Sequence, residues 1–140
     1  MKLPNNSIIA SGSVIIEEID GKLCTLLNKH KKTDTKPNPQ WQFCGGEMEN
    51  FDQSLEETAK REVKEEMGIE IEIEKLIDVM LHKRDDGSIV ILVHYLAKRI
   101  GEIKPDEDII EWKWFDINNL PGNSAPNIKP VIEEYKKISA

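Results

Sequence analysis

The residues in this chain whose types and spacing best suggest chemistry are three glutamates near its middle, Glu62, Glu65 and Glu66. Residues three and four positions apart on a helix are surface neighbours, so a helix here would place these carboxylates on about one third of its circumference. Like charges at this spacing repel each other, whereas a hard cation such as Mg²⁺ prefers oxygen ligands of this kind. The pattern therefore suggests a magnesium-binding helix face.

The same segment also has a purely structural explanation, because acidic surface helices are common. Three ion pairs at helical spacing would stabilise a solvated charged face, namely Glu56 with Lys60, Glu57 with Arg61, and Arg61 with Glu65. The flanking residues favour the metal site. Gly45 and Gly46 follow a short apolar run, where glycine lets the backbone approach a ligand closely, and Gly68 stands where the helix would end.

The segment REVKEEMGI, residues 61–69, resembles the second half of the Nudix box, whose pattern is G-x5-E-x7-R-E-U-x-E-E-x-G-U with U an aliphatic residue. It matches that half at every specified position. The resemblance implies that Arg61 orients the loop and the helix of the box. It implies four metal ligands, which are Glu62, Glu65, Glu66 and Gly46.

The first half of the box, which begins at Gly46, departs from the pattern. Counting back from Arg61 places Gln53 where the family has its first glutamate and leaves six residues after Gly46, one more than the pattern has. In the alternative alignment Asp52 fills that position and the extra residue follows it. The family acid pairs with the arginine, so either Arg61 lacks its usual partner or Asp52 supplies the charge from a shifted position.

The order of elements predicts an α/β chain, and 140 residues suit one domain over residues 1–140. By resemblance this is a Nudix-type α/β/α sandwich, with a central mixed β-sheet between the box helix and a C-terminal helix. Turn signals at Asp20-Gly21 and at 84–87 predict two hairpins. Outside the box helix, the predicted elements are strands at 8–18, 22–28, 41–44, 69–82, 88–97 and 109–115, and a helix at about 127–138.

Residues outside the box helix are candidates for holding a substrate. The predicted set is Gly45, Gly46, Trp41, Arg84 and Asn127. The basic, proline-containing segment 29–39 is either a solvated connection or a mobile flap that contacts substrate phosphates. Trp41 is either part of the core or cleft wall or a stacking platform, and Asn127 either contacts a base or caps a helix. His94 interrupts an apolar strand and is expected to be a hydrogen-bonded core residue.

Carboxylates with Mg²⁺, or with Mn²⁺ as a substitute, can activate water to cleave a phosphoanhydride. The resemblance implies a substrate in which a nucleoside diphosphate is linked to another group. Family members specialised for ADP-ribose often carry a proline downstream of the box, and none lies between Gly68 and Lys104, so the resemblance favours a nucleoside triphosphate, cleaved with release of pyrophosphate. The alternatives are ADP-ribose, a dinucleoside polyphosphate, or a catalytically weak nucleotide-binding regulatory domain. The predicted catalytic residues are Glu65, Glu62, Arg61 and Glu107, with Glu111 as a second choice for the last.

Composition limits the choice of partners. With 39% hydrophobic and 32% charged residues, the sequence is typical of a globular protein. A net charge of −7 argues against duplex nucleic acid as a partner. The sequence has neither a long apolar run nor a secretory leader, so we expect no membrane association and a cytoplasmic location. The expected partner is a nucleotide, and the protein is expected to be a monomer or a homodimer.

Overall fold

Six strands form one mixed sheet in the computed structural model, which describes residues 2–139. The order across the sheet is β4-β5-β1-β2-β6, and β3 pairs with β1 off this path. No helix in residues 2–139 is long and apolar enough to cross a membrane. The elements are β1 (Ile8–Ile19), β2 (Lys22–His30), β3 (Cys44–Glu47), α1 (Leu55–Met67), β4 (Glu70–Lys83), β5 (Ile89–Ile100), β6 (Ile109–Asp116) and α2 (Ile128–Ser139).

Strand β1 lies inside the sheet and pairs on both edges. It runs parallel to β5 on one edge and antiparallel to β3 and β2 on the other. Successive side chains of a strand point to opposite faces, so the adjacent buried residues Val14 and Ile15 belong to different cores. Val14 packs in the cluster that contains Ile132 of α2, whereas Ile15 packs in the cluster that contains Val63 of α1. The predicted α/β/α sandwich is therefore confirmed.

Helix α1 has a cap at each end, and these caps determine where its glutamates lie. The Ser54 side chain accepts a hydrogen bond from the Glu57 amide at 3.1 Å, as a helix N-cap does. Gly68 ends the helix in the left-handed conformation, with φ at 67° and its N–H bonded to the Lys64 carbonyl at 3.0 Å. The buried stripe of α1 consists of Ala59, Val63 and Met67, one residue every four.

The predicted strand boundaries differ from the structure by more than one residue in three strands, β2, β3 and β5, of which β5 continues to Ile100, three residues past its predicted end. Trp41 and Gln42 form only isolated bridges, to Ser124 and Asn28, and the regular strand begins at Cys44. Strand β2 continues to His30, across a bulge, because its last residues still pair with β6. Two residues predicted to be loop are therefore strand, and His30 is carried to the edge of the box helix.

Replacing Gly68 with Ala should destabilise the fold. A Cβ atom there would lie 2.7 Å from the Lys104 carbonyl oxygen, on a residue whose φ is already in the left-handed region. We expect Gly68→Ala to lower the free energy of unfolding by more than about 1 kcal/mol in urea titrations. Gly122→Ala is the control, because no atom lies within 4 Å of its Cβ position and its φ is not in that region. Equal free energies of unfolding for the two variants would contradict the role of Gly68 as the left-handed residue that ends α1.

Candidate active site

Arg61 joins the loop before α1 to the carboxylates on α1. Its Nε and Nη2 donate to the two carboxylate oxygens of Asp52 at 3.1 and 2.8 Å. Nη2 also donates to the Glu47 carbonyl at 3.0 Å. On the helix side, Nη1 donates to Glu62 at 2.9 Å and to Glu65 at 3.3 Å. One guanidinium therefore fixes the relative position of the glycine loop and two of the predicted metal ligands.

Asp52, and not Gln53, is the acid that pairs with the box arginine. The Asp52 side chain is buried, and Oδ2 also accepts hydrogen bonds from the Glu49 amide at 2.9 Å and from Thr58 Oγ1 at 3.0 Å. The hydrogen bonds from Arg61 hold the pKa of this carboxyl well below its usual range. Gln53 is exposed. The structure thus selects the alignment in which Asp52 replaces the family glutamate and the extra residue follows it.

Glu62 is folded against the second glycine of the loop. A Cβ atom on Gly46 would lie 2.4 Å from the Glu62 carboxyl carbon, so only glycine leaves room for this contact. Burial raises the pKa of Glu62, and the neighbouring charges of Glu66 and Glu65 raise it further against the lowering effect of the Arg61 hydrogen bond. This carboxylate therefore binds a proton more readily than an exposed glutamate does.

Glu66 bridges the first glycine of the loop and the end of β2. Its Oε1 accepts the Gly45 amide hydrogen bond at 2.9 Å, and its Oε2 lies 2.8 Å from His30 Nε2. That hydrogen bond raises the pKa of His30. Gly45 cannot carry a side chain, because a Cβ there would lie 2.3 Å from the Ser11 carbonyl oxygen. His30 was not among the predicted site residues, since no local pattern links it to a residue 36 positions away.

The three box glutamates and His30 line a small acidic pocket of about 230 Å³. We call it the acidic pocket. Its lining residues are His30, Glu62, Glu65, Glu66, Asp106, Asp108 and Ile109. Glu107 is exposed and lies outside this lining, which contains its two neighbours instead. Glu111 is also outside the lining and pairs with Lys29 at 3.7 Å. The segment 106–108 therefore faces the site, but through different acids from the one predicted.

The acidic pocket has the donor chemistry that a hard divalent cation requires. Its carboxylates supply oxygen ligands, and Glu65 is 58% exposed, so its side chain can rotate. Within residues 2–139, no three His, Cys, Asp or Glu side chains stand close enough together to ligate one ion. In this arrangement Glu62 and Glu65 bond to Arg61, while Glu66 bonds to His30. The residue types fit Mg²⁺, and ligation would require the carboxylates to turn toward one point.

Two further clefts lie beside the glycine loop. The larger one, of about 690 Å³, is lined by Gly46, Glu62 and Arg84 among others, and we call it the large cleft. The second, of about 280 Å³, is lined by Gly45, Gly46 and Asn127 among others, and we call it the small cleft. Gly46 lines both, so the two are neighbouring parts of one groove.

Trp41 lies away from these clefts. It is 7% exposed, packs in the core that contains α2, and meets Phe115 edge to face with ring centroids 4.7 Å apart. The structure therefore places Trp41 in the core, because the chain at Trp41 bridges to Ser124 and does not follow the groove. The other four predicted substrate residues, Gly45, Gly46, Arg84 and Asn127, line the clefts.

His94 lies on the wall of the small cleft. It is 1% exposed, its Nε2 is 2.9 Å from the Asn127 amide nitrogen, and its Nδ1 has no hydrogen-bond partner within residues 2–139. Burial lowers the pKa of His94 to about 4, so the ring is neutral at physiological pH. The expectation of a hydrogen-bonded buried histidine is met, and its partner is a predicted substrate residue.

A mixed sheet between two helices, with a glycine loop packed against an acidic capped helix, defines a Nudix-type fold and box. The family model of the NUDIX domain matches residues 9–135. This chain belongs to the NUDIX domain family.

Known relatives agree with this assignment. An ADP-ribose pyrophosphatase from Methanocaldococcus jannaschii is 32% identical over 87 residues, which are 61% of this chain and 51% of that protein. The chain thus spans about half the length of this curated relative. A MutT NUDIX hydrolase from Burkholderia pseudomallei superposes with a TM-score of 0.78 at 25% identity, covering 93% of this chain and 98% of the other. The NUDIX domain of Shewanella oneidensis NrtR, solved in complex with ADP ribose, has a TM-score of 0.76 at 19% identity, covering 98% and 91%, and shows the fold alone.

The Asp52–Arg61 pair predicts a defined pH dependence of stability. Asp52→Asn should lower the free energy of unfolding at neutral pH, because it removes the charge that the guanidinium binds. The folded-state pKa of Asp52 lies below its unfolded value near 4, so this stabilisation is complete above about pH 4 and disappears as the pH falls through the folded value. Urea unfolding of both proteins at several pH values should show a constant difference from pH 8 to 5 and a shrinking one below about 4.

Gln53→Glu is the matched control for that measurement. Its side chain is exposed, so the free energy of unfolding should stay within about 0.5 kcal/mol of wild type at every pH. A large gain in stability or activity on Gln53→Glu would show that Asp52 does not substitute for the family glutamate.

Proposed function

We propose that the protein is a Mg²⁺-dependent hydrolase that cleaves a phosphoanhydride bond in a nucleoside diphosphate linked to another group. One observation carries the proposal: Glu62 lines both the acidic pocket and the large cleft. A phosphate chain in the cleft would therefore lie beside the same carboxylate that faces the other box glutamates.

The box residues supply the chemistry that this reaction needs. Glu62, Glu65 and Glu66 would hold Mg²⁺, or Mn²⁺ as a substitute, and the bound ion would neutralise phosphate charge and acidify a water. Arg61 orients Glu62 and Glu65, and the Gly45 amide orients Glu66.

A carboxylate must also accept the proton of the attacking water. Glu62 lies at the junction of the acidic pocket and the large cleft, which suits it to this role, with Glu65 as the second candidate. Glu107 and Glu111 line neither the acidic pocket nor the two clefts, which makes them weaker candidates.

Within this class, we infer that a nucleoside triphosphate is the first candidate substrate, cleaved with release of pyrophosphate. This ranking rests on the resemblance, because the segment between Gly68 and Lys104 lacks the proline that family members specialised for ADP-ribose often carry. The small cleft presents the Asn127 amide beside neutral His94, and an amide can hydrogen-bond the edge of the base in any of the candidate substrates. ADP-ribose is the second candidate, because the relative from M. jannaschii is an ADP-ribose pyrophosphatase. A catalytically weak regulatory domain is the third candidate. The altered first half of the box favours it, whereas the Asp52–Arg61 ion pair counts against it.

A product-resolved assay tests the proposal. Purified protein would be incubated with nucleoside triphosphates, ADP-ribose and dinucleoside polyphosphates, with Mg²⁺, with Mn²⁺ and with a chelator, and the products separated by chromatography. A nucleoside monophosphate and pyrophosphate from a triphosphate would support the first candidate. AMP and ribose 5-phosphate from ADP-ribose would assign the second. Nucleotide binding without any metal-dependent product would contradict the enzyme proposal.

Glu65→Gln should abolish most activity while leaving the fold intact. The side chain is more than half exposed and its ion pair with Arg61 is a surface pair, worth at most about 1 kcal/mol. We expect kcat to fall by roughly 10²- to 10⁴-fold if the carboxylate serves as ligand or base. The measurements are the hydrolysis rate at saturating Mg²⁺ and the midpoint of thermal unfolding.

Glu56→Gln is the control for helix charge, since Glu56 is exposed on α1 and is absent from the linings of the acidic pocket and both clefts. It should retain wild-type kinetics. Wild-type rates in Glu65→Gln would contradict the placement of Glu65 in the active site. Equal losses of activity in both variants would show that the net charge of the helix causes the effect.

A further inference from the structure

The wall of the large cleft carries charges of both signs. Its carboxylates are Glu47, Glu49 and Glu62, and its cations are Lys36 and Arg84. The three carboxylates repel a phosphate chain that enters this cleft. The attraction that the protein supplies therefore comes from the two cations. They come from two separate loops, one before β3 and one between β4 and β5.

A tight turn holds the backbone of Lys36. Thr33 and Lys36 exchange two backbone hydrogen bonds, of 3.0 and 3.1 Å, and the Lys36 amide also donates to Thr33 Oγ1 at 3.0 Å. These bonds close a four-residue turn within the segment that joins β2 to β3. The turn fixes the Lys36 backbone relative to Thr33, although the segment has no regular secondary structure.

Lys36 differs from the other lysines of the same segment. Lys29 lies 3.7 Å from Glu111, and Lys31 lies 3.7 Å from Asp108 of the acidic pocket, so each is paired with a carboxylate outside the two clefts. Lys32 is exposed and is absent from the linings of the acidic pocket and both clefts. Lys36 therefore combines a basic side chain with a position on the groove, and Lys32 provides a natural comparison.

The two cations occupy different positions along the groove. Lys36 lines both the large and the small cleft, as Gly46 does, whereas Arg84 lines the large cleft but not the small one. The small cleft also contains the pair of His94 and Asn127. Lys36 thus stands where the two clefts meet, and Arg84 stands on the side away from Asn127.

Arg84 is held by the turn between β4 and β5. Its amide donates to the Ser88 carbonyl at 2.9 Å, and its carbonyl accepts the Gly87 amide at 3.0 Å. Gly87 has φ at 87°, so the turn uses a conformation that glycine readily adopts. The turn therefore fixes the backbone from which the Arg84 side chain extends.

We propose that Lys36 and Arg84 bind the phosphate chain of the substrate, with Lys36 at the phosphate nearest the nucleoside and Arg84 at the far end of the chain. The nucleoside then occupies the small cleft, and the phosphates occupy the large cleft beside Glu62. This proposal rests on the proposed function and adds the direction in which the substrate lies. A lysine supplies a mobile point charge, whereas an arginine can bind two phosphate oxygens at once.

Steady-state kinetics of Lys36→Ala and Lys32→Ala test the first contact. Loss of a charged hydrogen bond to phosphate should raise KM by about 10- to 100-fold in Lys36→Ala, with kcat changed less than about threefold. Lys32→Ala should match wild type, and Lys36→Arg should restore most of the affinity. Equal KM values for Lys36→Ala and wild type, or equal losses in both alanine variants, would overturn the proposal.

Nucleotides of different length test the direction. Arg84→Ala should weaken binding of a nucleoside triphosphate more than that of the matching diphosphate, whereas Lys36→Ala should weaken both by the same factor. The opposite ranking would overturn the orientation. Binding is measured by calorimetry in Mg²⁺, on variants whose thermal unfolding matches wild type, with analogues of both nucleotides in which a methylene group replaces the oxygen between the first two phosphates, so that the proposed cleavage cannot occur.

Calorimetry also separates this proposal from the proposed function. A wild-type protein that binds nucleotide without hydrolysing it would contradict the enzyme, yet weaker binding by Lys36→Ala would still support the phosphate contact. Wild-type protein that binds neither of these nucleotides nor ADP-ribose would overturn both.

Discussion

The ion pair between Arg61 and Asp52 is the interaction on which the candidate site depends. A mostly buried guanidinium needs a partner, because an unpaired charge away from water is costly, and the planar fork of arginine matches a carboxylate with two hydrogen bonds. The remaining N–H groups then reach the Glu47 carbonyl and Glu62. The Phe51 ring lies 5.2 Å from the guanidinium carbon and adds a cation–π contact. The loop and the helix cannot move independently while these contacts persist.

The pairing of β3 with β1 places the glycine loop beside α1. Strand β3 pairs with β1 so that Gly45 lies opposite Gly12, and Gly46 opposite Ser11. Because Gly45 has no side chain, β3 can pair closely with β1, and Glu66 of α1 can reach the Gly45 amide. The acidic pocket therefore forms between a helix and the backbone of a short strand, which leaves its carboxylates partly shielded from water.

Local residue types predicted much of the fold. The Asp20-Gly21 turn, the Gly68 stop and the apolar stripe of α2 each depend on neighbours in the chain, so the pattern alone contains the information. The position of Glu62, Glu65 and Glu66 on one helix face followed in the same way. The choice between Asp52 and Gln53 did not, because residue counting cannot show which side chain reaches a guanidinium.

Contacts between distant segments could not be predicted. His30 meets Glu66 only because β2 extends past its predicted end, and His94 meets Asn127 only because β5 and the start of α2 converge on the small cleft. The position of Lys36 depends on a turn inside a segment with no periodic pattern. That residues 1–140 form one domain stays a prediction.

The extra residue ahead of α1 shows what the Nudix box has to conserve. The loop is tied to β1 by the Met48 amide, which donates to the Ile9 carbonyl at 2.8 Å, and it ends at the Ser54 cap. Between these points the chain has gained a residue and exchanged glutamate for the shorter aspartate, and the acid still reaches Arg61. At this loop the charge pair is kept although the acid has changed and the spacing departs from the family pattern. A search that requires glutamate as the acid, or a fixed number of residues between the acid and the arginine, would pass over chains like this one.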